Sequence, residues 1–217
     1  MYKLPISLAI EIVCFAYALI NLRTEKSFFW KSLVWFMGIT VFFEGFGWTQ
    51  AVIFHQRNHI IYNVEQPVEV FFISWVLWKL SSPSLESNLV FGTVLILYFS
   101  IFLIEGALIN FTDYIDLSNW IAAFFFVLAS CHYFYRLLKQ ETYIQLYKEP
   151  NFWLVVGIFM FYFCSTAINL FFDELVKINM SIGINVRFII ISLLNAILYG
   201  SWIKAFKCRF RQTILSF

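Results

Sequence analysis

Charge is what this chain has least of. Of 217 residues, 13% are Asp, Glu, Lys or Arg, against roughly 25% in an ordinary soluble domain. Hydrophobic residues reach 61% and aromatics 22%, more apolar surface than a soluble fold of this length can hide, so the expected solvent is lipid. Histidine is scarce: the three, His55, His59 and His132, would all be needed for a three-histidine zinc site. The first two have HxxxH spacing in a loop, whereas His132 lies in a distant apolar run, so no metal is expected. This also speaks against multi-histidine membrane hydrolases and hydroxylases. The four cysteines, Cys14, Cys131, Cys164 and Cys208, show no CxxC pairing and read as small buried apolar residues. There is no P-loop, HExxH, GxSxG or GxGxxG, and no lysine in the middle of the last apolar run to form a retinal Schiff base. Nucleotide chemistry, the usual hydrolases and microbial rhodopsins lack support, and no cofactor is expected.

What is present is a series of seven apolar runs, at 4–22, 33–54, 60–80, 89–110, 120–138, 152–172 and 187–205. Each has about the 20 residues that a membrane helix needs. They predict an all-α, polytopic bundle of seven transmembrane helices, with residues 1–217 forming one transmembrane domain and no soluble domain. The longest connection, about 139–150, is too short to fold alone. The first run carries Glu11 and has no small-x-small cleavage site, so it reads as a retained span rather than a signal peptide.

Lys and Arg set the expected orientation. Arg23, Lys26, Lys31, Lys79, Arg136, Lys139, Lys148, Lys204, Lys207, Arg209 and Arg211 fall on one side; Lys3, Arg57, Lys177 and Arg187 fall on the other. The loop around Asp113 and Asp116 carries no base. The N-terminus is therefore expected outside and the C-terminus in the cytoplasm, in a plasma or bacterial inner membrane. Trp30, Trp78, Trp120, Trp153 and Trp202 lie near run ends, where interfacial anchors are expected. The basic stretch 204–211 suits anionic lipid better than nucleic acid. Pro5, Pro83 and Pro150 sit at run starts or in loops; only Pro67 lies inside a run.

Two stripes of small or polar residues predict interior helix faces: Thr40, Glu44, Gly47 and Ala51 in the second run, and Ser192, Ala196 and Gly200 in the seventh. The sharper signal is acidic. Glu11, Glu44, Glu65, Glu69 and Glu105 all lie within runs, matched by Arg187 alone near the outer end of the seventh. An ionised side chain at a helix centre costs on the order of 3 kcal/mol, so these groups should be protonated, hydrogen-bonded or neutralised by a bound cation. Glu65 and Glu69 stand four apart on one helix face with Pro67 between them, an arrangement ill suited to simple helix packing. Glu11 and Glu105, taken singly, read as packing residues.

At about 1.5 Å per residue, Glu11, Glu44 and Glu69 come near the midplane. A polar cavity opening outward is expected, with its bottom at Glu44 and Glu69 and Arg187 at its mouth. Asn63, Gln66, Asn169 and Asn195 are its candidate lining, and Pro67 is expected to kink the third helix.

The segment Ile61-Tyr62-Asn63-Val64-Glu65-Gln66-Pro67-Val68-Glu69-Val70-Phe71-Phe72 resembles the opening of the third span in a group of uncharacterised bacterial seven-span membrane proteins of similar length. Tyr62, Asn63, Pro67 and Glu69 carry the match, while Glu65 and Gln66 stand where that pattern has aromatic and hydroxyl residues. The resemblance implies a seven-span architecture and points to Pro67 and Glu69 as positions to test; it implies no activity.

Function is then expected from the bundle itself: a receptor-like sensor or membrane partner subunit, with a small-molecule or cation ligand and a cytoplasmic or membrane signalling partner. The alternative is a small proton- or cation-coupled carrier using Glu44, Glu65 and Glu69. An intramembrane enzyme is a third and weaker reading, so no residue is assigned a catalytic role.

Overall fold

The computed structural model describes residues 4–81, 85–140, 145–171 and 186–215; for Glu86, Arg187, Ile214 and Leu215 it describes the helical backbone only. Among these residues the fold is all helical: α1 (Ile6–Asn21), α2 (Phe28–Val52), α3 (His59–Leu80), α4 (Leu85–Leu108), α5 (Leu117–Leu138), a short 3-10 turn (Leu146–Lys148), α6 (Pro150–Leu170) and α7 (Val186–Leu215). Each helix grows from one of the seven apolar runs. Several extend beyond them, because a buried helix face continues where the average composition turns polar. In α7, Ala205, Phe206 and Cys208 are buried among the bases of 204–211, so what reads as a basic tail is the last part of a packed helix.

Four stretches are long and apolar enough to cross a membrane: Ser87–Leu108, Leu117–Leu138, Pro150–Leu170 and Phe188–Thr213. The chain has the helices of a membrane protein, and the large apolar side chains they expose, such as Leu89, Ile96, Leu103, Phe124, Phe163 and Leu193, suit contact with a lipid bilayer. The other three helices fall outside that set. α1 is only 16 residues, and α2 and α3 are long but diluted by Lys31, Glu44, Asn63, Glu65, Gln66 and Glu69. α1 falls short by length alone, and α2 and α3 by the polar residues on their faces.

Six helices close a ring. α1 packs on α2, α2 on α3, α3 on α5, α5 on α6, α6 on α7, and α7 back on α1, while α4 lies outside against α3 and α5. Neighbours α3 and α5 run parallel: Asn63 and Gln66 near the start of α3 meet Asp113 and Ser118 at the start of α5, and Arg136 near the end of α5 donates to the carbonyl of Ser81 beyond the end of α3. α1 and α7 also run parallel, since Cys14 meets the Tyr199 carbonyl and Glu25, just past α1, meets Arg209.

The ring is filled differently at its two ends. Toward the ends of α1, α3, α5 and α7 lies a dry core of Cys14, Ala18, Trp30, Leu33, Met37, Val76, Leu77, Phe126, Leu154, Ile158, Ala205 and Phe206. Phe36 and Phe72 stack face to face within it, centroids 4.1 Å apart and planes 7° from parallel. α6 and α7 approach closely at Gly157 of α6, where an added Cβ would stand 3.1 Å from the Leu198 carbonyl and 3.2 Å from Ser201.

Three expectations are corrected here. Gly200 is exposed with open space beside it, so the Ser192, Ala196, Gly200 stripe is not the packing ridge; α7 packs through Leu194, Leu198, Trp202 and Ala205, and the glycine that admits it belongs to α6. Trp30 and Trp202 are buried core residues rather than interfacial anchors. Of the cysteines, Cys14 and Cys208 are buried but Cys131 is exposed, so they are not uniformly interior. The second-helix stripe does face inward: Glu44 and Thr40 reach the ring's interior, and Gly47 makes room for the Tyr62 ring 3.0 Å from its Cβ position.

Candidate functional site

Following each helix away from the dry core, its inward face becomes polar. Along α2 the sequence runs from Phe36 to Thr40 to Glu44, along α3 from Ile73 back through Glu69, Gln66 and Glu65 to Tyr62, and along α7 from Trp202 through Leu198 to Asn195. These faces enclose a cavity of about 370 Å³. Every helix of the ring contributes, and α4 does not. Glu11 enters from α1, Asn119, Trp120 and Ala123 from α5, Phe161, Tyr162, Ser165, Thr166 and Asn169 from α6, and Tyr114, Ile115 and Asp116 from the segment before α5.

The candidates Glu44, Glu65, Glu69, Asn63, Gln66, Asn169 and Asn195 all line this one cavity. Arg187, expected at its mouth, has its side chain outside the described residues, as does the sequence 172–185 that joins α6 to α7. Pro67 lies in a continuous helix beside the cavity residues, but it faces an outer groove with Phe71 and Phe72 rather than the interior. The cavity floor lies deeper than expected, at Phe36, Ile73, Leu198 and Trp202, one to two turns past Glu44 and Glu69.

The geometry divides the polar groups by role. Asn63 also has a structural role: its amide donates to the Asp113 carbonyl at 2.9 Å and its oxygen accepts from the Ile115 amide at 3.4 Å. Gln66 reaches Ser118 at 3.5 Å. Both pin the segment preceding α5 onto α3. Glu105 does not line the cavity; its carboxylate accepts the free amides of Asp116 and Leu117 at 2.9 Å and of Ser118 at 3.2 Å, capping α5 from the end of α4.

The four remaining acids keep acceptor capacity. Tyr162 donates to Glu69 at 2.6 Å and Tyr62 to Glu44 at 3.3 Å. Glu65 makes no hydrogen bond within the described residues. Glu11 is 2% exposed, with Oε2 buried and unpartnered. The indole N–H of Trp202, on the floor, is likewise buried without a partner. Reading the sequence missed Glu11, which as an isolated acid resembled a packing residue, and the tyrosines 162 and 199, whose partners lie far away in the chain. Among the described residues no three His, Cys, Asp or Glu side chains form a metal-holding group.

The bases behave differently from a lipid-anchoring tail. Arg209 forms a two-pronged pair with Glu25, at 2.8 and 3.0 Å, and lies 5.7 Å from the Trp30 ring centroid. Lys204 sits over the Trp153 ring. Lys207 and Arg211 remain exposed. Half of the basic stretch is therefore engaged within the chain. His59 also departs from a solvated loop residue: its ring meets Tyr114 edge to face at 4.1 Å.

No protein-family model, curated protein or solved structure matches the chain. The functional reading rests on this geometry.

Proposed function

We propose that the chain is a seven-span bundle of a cell membrane, with its N-terminus outside, its C-terminus in the cytoplasm, and a receptor-like role in which a small ligand enters the polar cavity from outside. The carrying observation is the cavity's one-sidedness: six helices converge on a polar chamber at one end and on a dry aromatic core at the other. A chamber closed on one side can change helix positions when filled without passing its contents through.

The seven-span reading is supported by the parallel α3/α5 and α1/α7 pairs, which alternation of seven helices requires. It is also supported by outward apolar side chains on the acid-bearing helices, including Val13, Ile20, Trp35, Phe42, Val64 and Phe71. A polar inner face lowers average hydropathy without exposing charge to lipid. The expected cytoplasmic side of the dry core is supported by the grouping of eleven of the fifteen bases at that end of the runs, and a signalling partner would meet the bundle there. The likeness to bacterial seven-span proteins around Pro67 and Glu69 fits the same architecture.

The second reading, a proton- or cation-coupled carrier, is favoured by the four acids contributed by three adjacent helices. Reconstitution in liposomes separates the two. The receptor reading expects no proton- or cation-driven flux and stable co-purification with one partner; flux abolished by Glu69→Gln overturns it.

A further inference from the structure

Among the described residues, the cavity is lined by acids and by no base. Glu11, Glu44, Glu65 and Glu69 line it, and no lysine, arginine or histidine is among the described residues that do. Carboxylates sharing a low-dielectric site cannot all ionise without a counter-charge. The chain's own phenols satisfy only part of them: Glu44 and Glu69 each receive one tyrosine hydroxyl, and each carboxylate can accept several hydrogen bonds.

An independent observation points to a missing partner. Glu11, almost wholly buried in the cavity wall, has an oxygen with nothing to bond among the described residues. Buried polar atoms of native proteins are nearly always satisfied, so such atoms call for an occupant.

The wall chemistry selects among cations. A hard metal ion needs a cage of oxygen ligands, which the described acids do not form. The chamber is instead walled by aromatic rings, among them Tyr62, Trp120, Phe161, Tyr162 and Tyr199. Ring faces stabilise weakly hydrated organic cations, and a carboxylate beside an aromatic wall is the arrangement that holds ammonium groups. The volume of about 370 Å³ suits a small molecule.

We propose that the cavity binds a small organic cation, an amine or quaternary ammonium compound, with its charge held by Glu11, Glu69 and Glu44 and its carbon body against the tyrosine and tryptophan rings. The proposal rests on the receptor reading for its role, but not for its chemistry.

The test uses the full chain in lipid nanodiscs, with choline, tetramethylammonium and phenethylamine as probes. 3,3-Dimethylbutan-1-ol, the uncharged carbon counterpart of choline, and sodium chloride serve as controls. Thermal midpoint and tryptophan fluorescence are followed against concentration. The expected result is saturable stabilisation by at least one organic cation, absent with the alcohol and with sodium, and weakened roughly tenfold or more by Glu69→Gln and Glu11→Gln but not by Glu149→Gln outside the cavity. Glu65→Gln, which lines the same cavity and has no hydrogen bond to lose, keeps the test decisive if the deeper variants do not fold: removing one of the four cavity acids is expected to weaken cation binding several-fold, and unchanged affinity overturns the proposal. Equal binding of the alcohol, reproduction of the effect by sodium alone, or no saturable effect of any of the three cations overturns the proposal. Transport of a bound cation into liposomes would overturn the receptor reading while leaving the ligand class standing; absence of both binding and flux overturns the ligand class alone.

Discussion

The hydroxyl of Tyr162 donates to Oε1 of Glu69 at 2.6 Å, joining residues 93 apart in the chain. It links α6 to α3, which are not neighbours in the ring because α5 stands between them. The bond therefore joins two walls of the polar half across the width of α5.

Removing that donor should cost stability modestly. Tyr162→Phe is expected to lower unfolding free energy by about 1 kcal/mol, the range of interhelical hydrogen bonds in membrane proteins. The penalty should shrink in a Glu69→Gln background, where the acceptor is neutral. Equilibrium unfolding of the four proteins of this double-mutant cycle in mixed micelles measures the coupling.

Acid should loosen the opposite end of the bundle. Glu25, in the turn after α1, is held at a pKa of about 2 rather than 4.5, first by the Arg209 side chain; burial opposes this, and the amides of Ser27 and Lys26 add to the lowering. A carboxylate with a depressed folded pKa stabilises fully above its unfolded value and loses that contribution as pH falls through the folded one. Thermal midpoints should therefore fall between about pH 4.5 and pH 2, and Glu25→Gln should lack this component. Arg209→Ala should cost on the order of 2 kcal/mol, less than for a fully buried pair because Arg209 keeps some solvent.

Two glycines should respond in opposite ways. Gly157→Ala pushes a Cβ to 3.1 Å from the backbone oxygen of Leu198, and separating α6 from α7 should cost about 1–2 kcal/mol. Gly200→Ala meets nothing within 4 Å and should be neutral or stabilise by up to about 1 kcal/mol through helix propensity. Thermal unfolding of the purified variants in detergent distinguishes the two.

Glu105→Ala should fray the start of α5. Three backbone amides lose their acceptor, at an expected cost of about 1–2 kcal/mol, the usual range for a lost helix cap. Faster amide hydrogen exchange at residues 116–118, with little change in the dry core, would report the effect locally.

How much of this was legible beforehand can be followed residue by residue. The seven helices were visible because apolar runs of membrane length are rare in any other setting. Glu44, Glu65 and Glu69 stood out because charge inside such a run is costly, and rise per residue placed Glu44 and Glu69 near the midplane with Glu65 shallower. Glu11 carried the same cost but no nearby companion, so nothing in its own segment distinguished a cavity wall from a packing bond. Asn63 looked like a ligand group, and the backbone bonds it makes at residues 113 and 115 could not be read from its own segment. Gly200 looked like a packing ridge because spacing reveals which residues share a face, not which face meets a neighbour.

By itself the sequence determined the solvent, the helices and the presence of acids that must find partners, all local consequences of side-chain transfer energies and helical periodicity. The tertiary structure decided the order of helices around the ring, the exclusion of α4 from it, and the division into a dry core and a polar chamber. Those depend on which faces pack together, and pairings such as Tyr162 with Glu69, Arg209 with Glu25, and Gly157 with Leu198 join residues too far apart in the chain for any local pattern to specify.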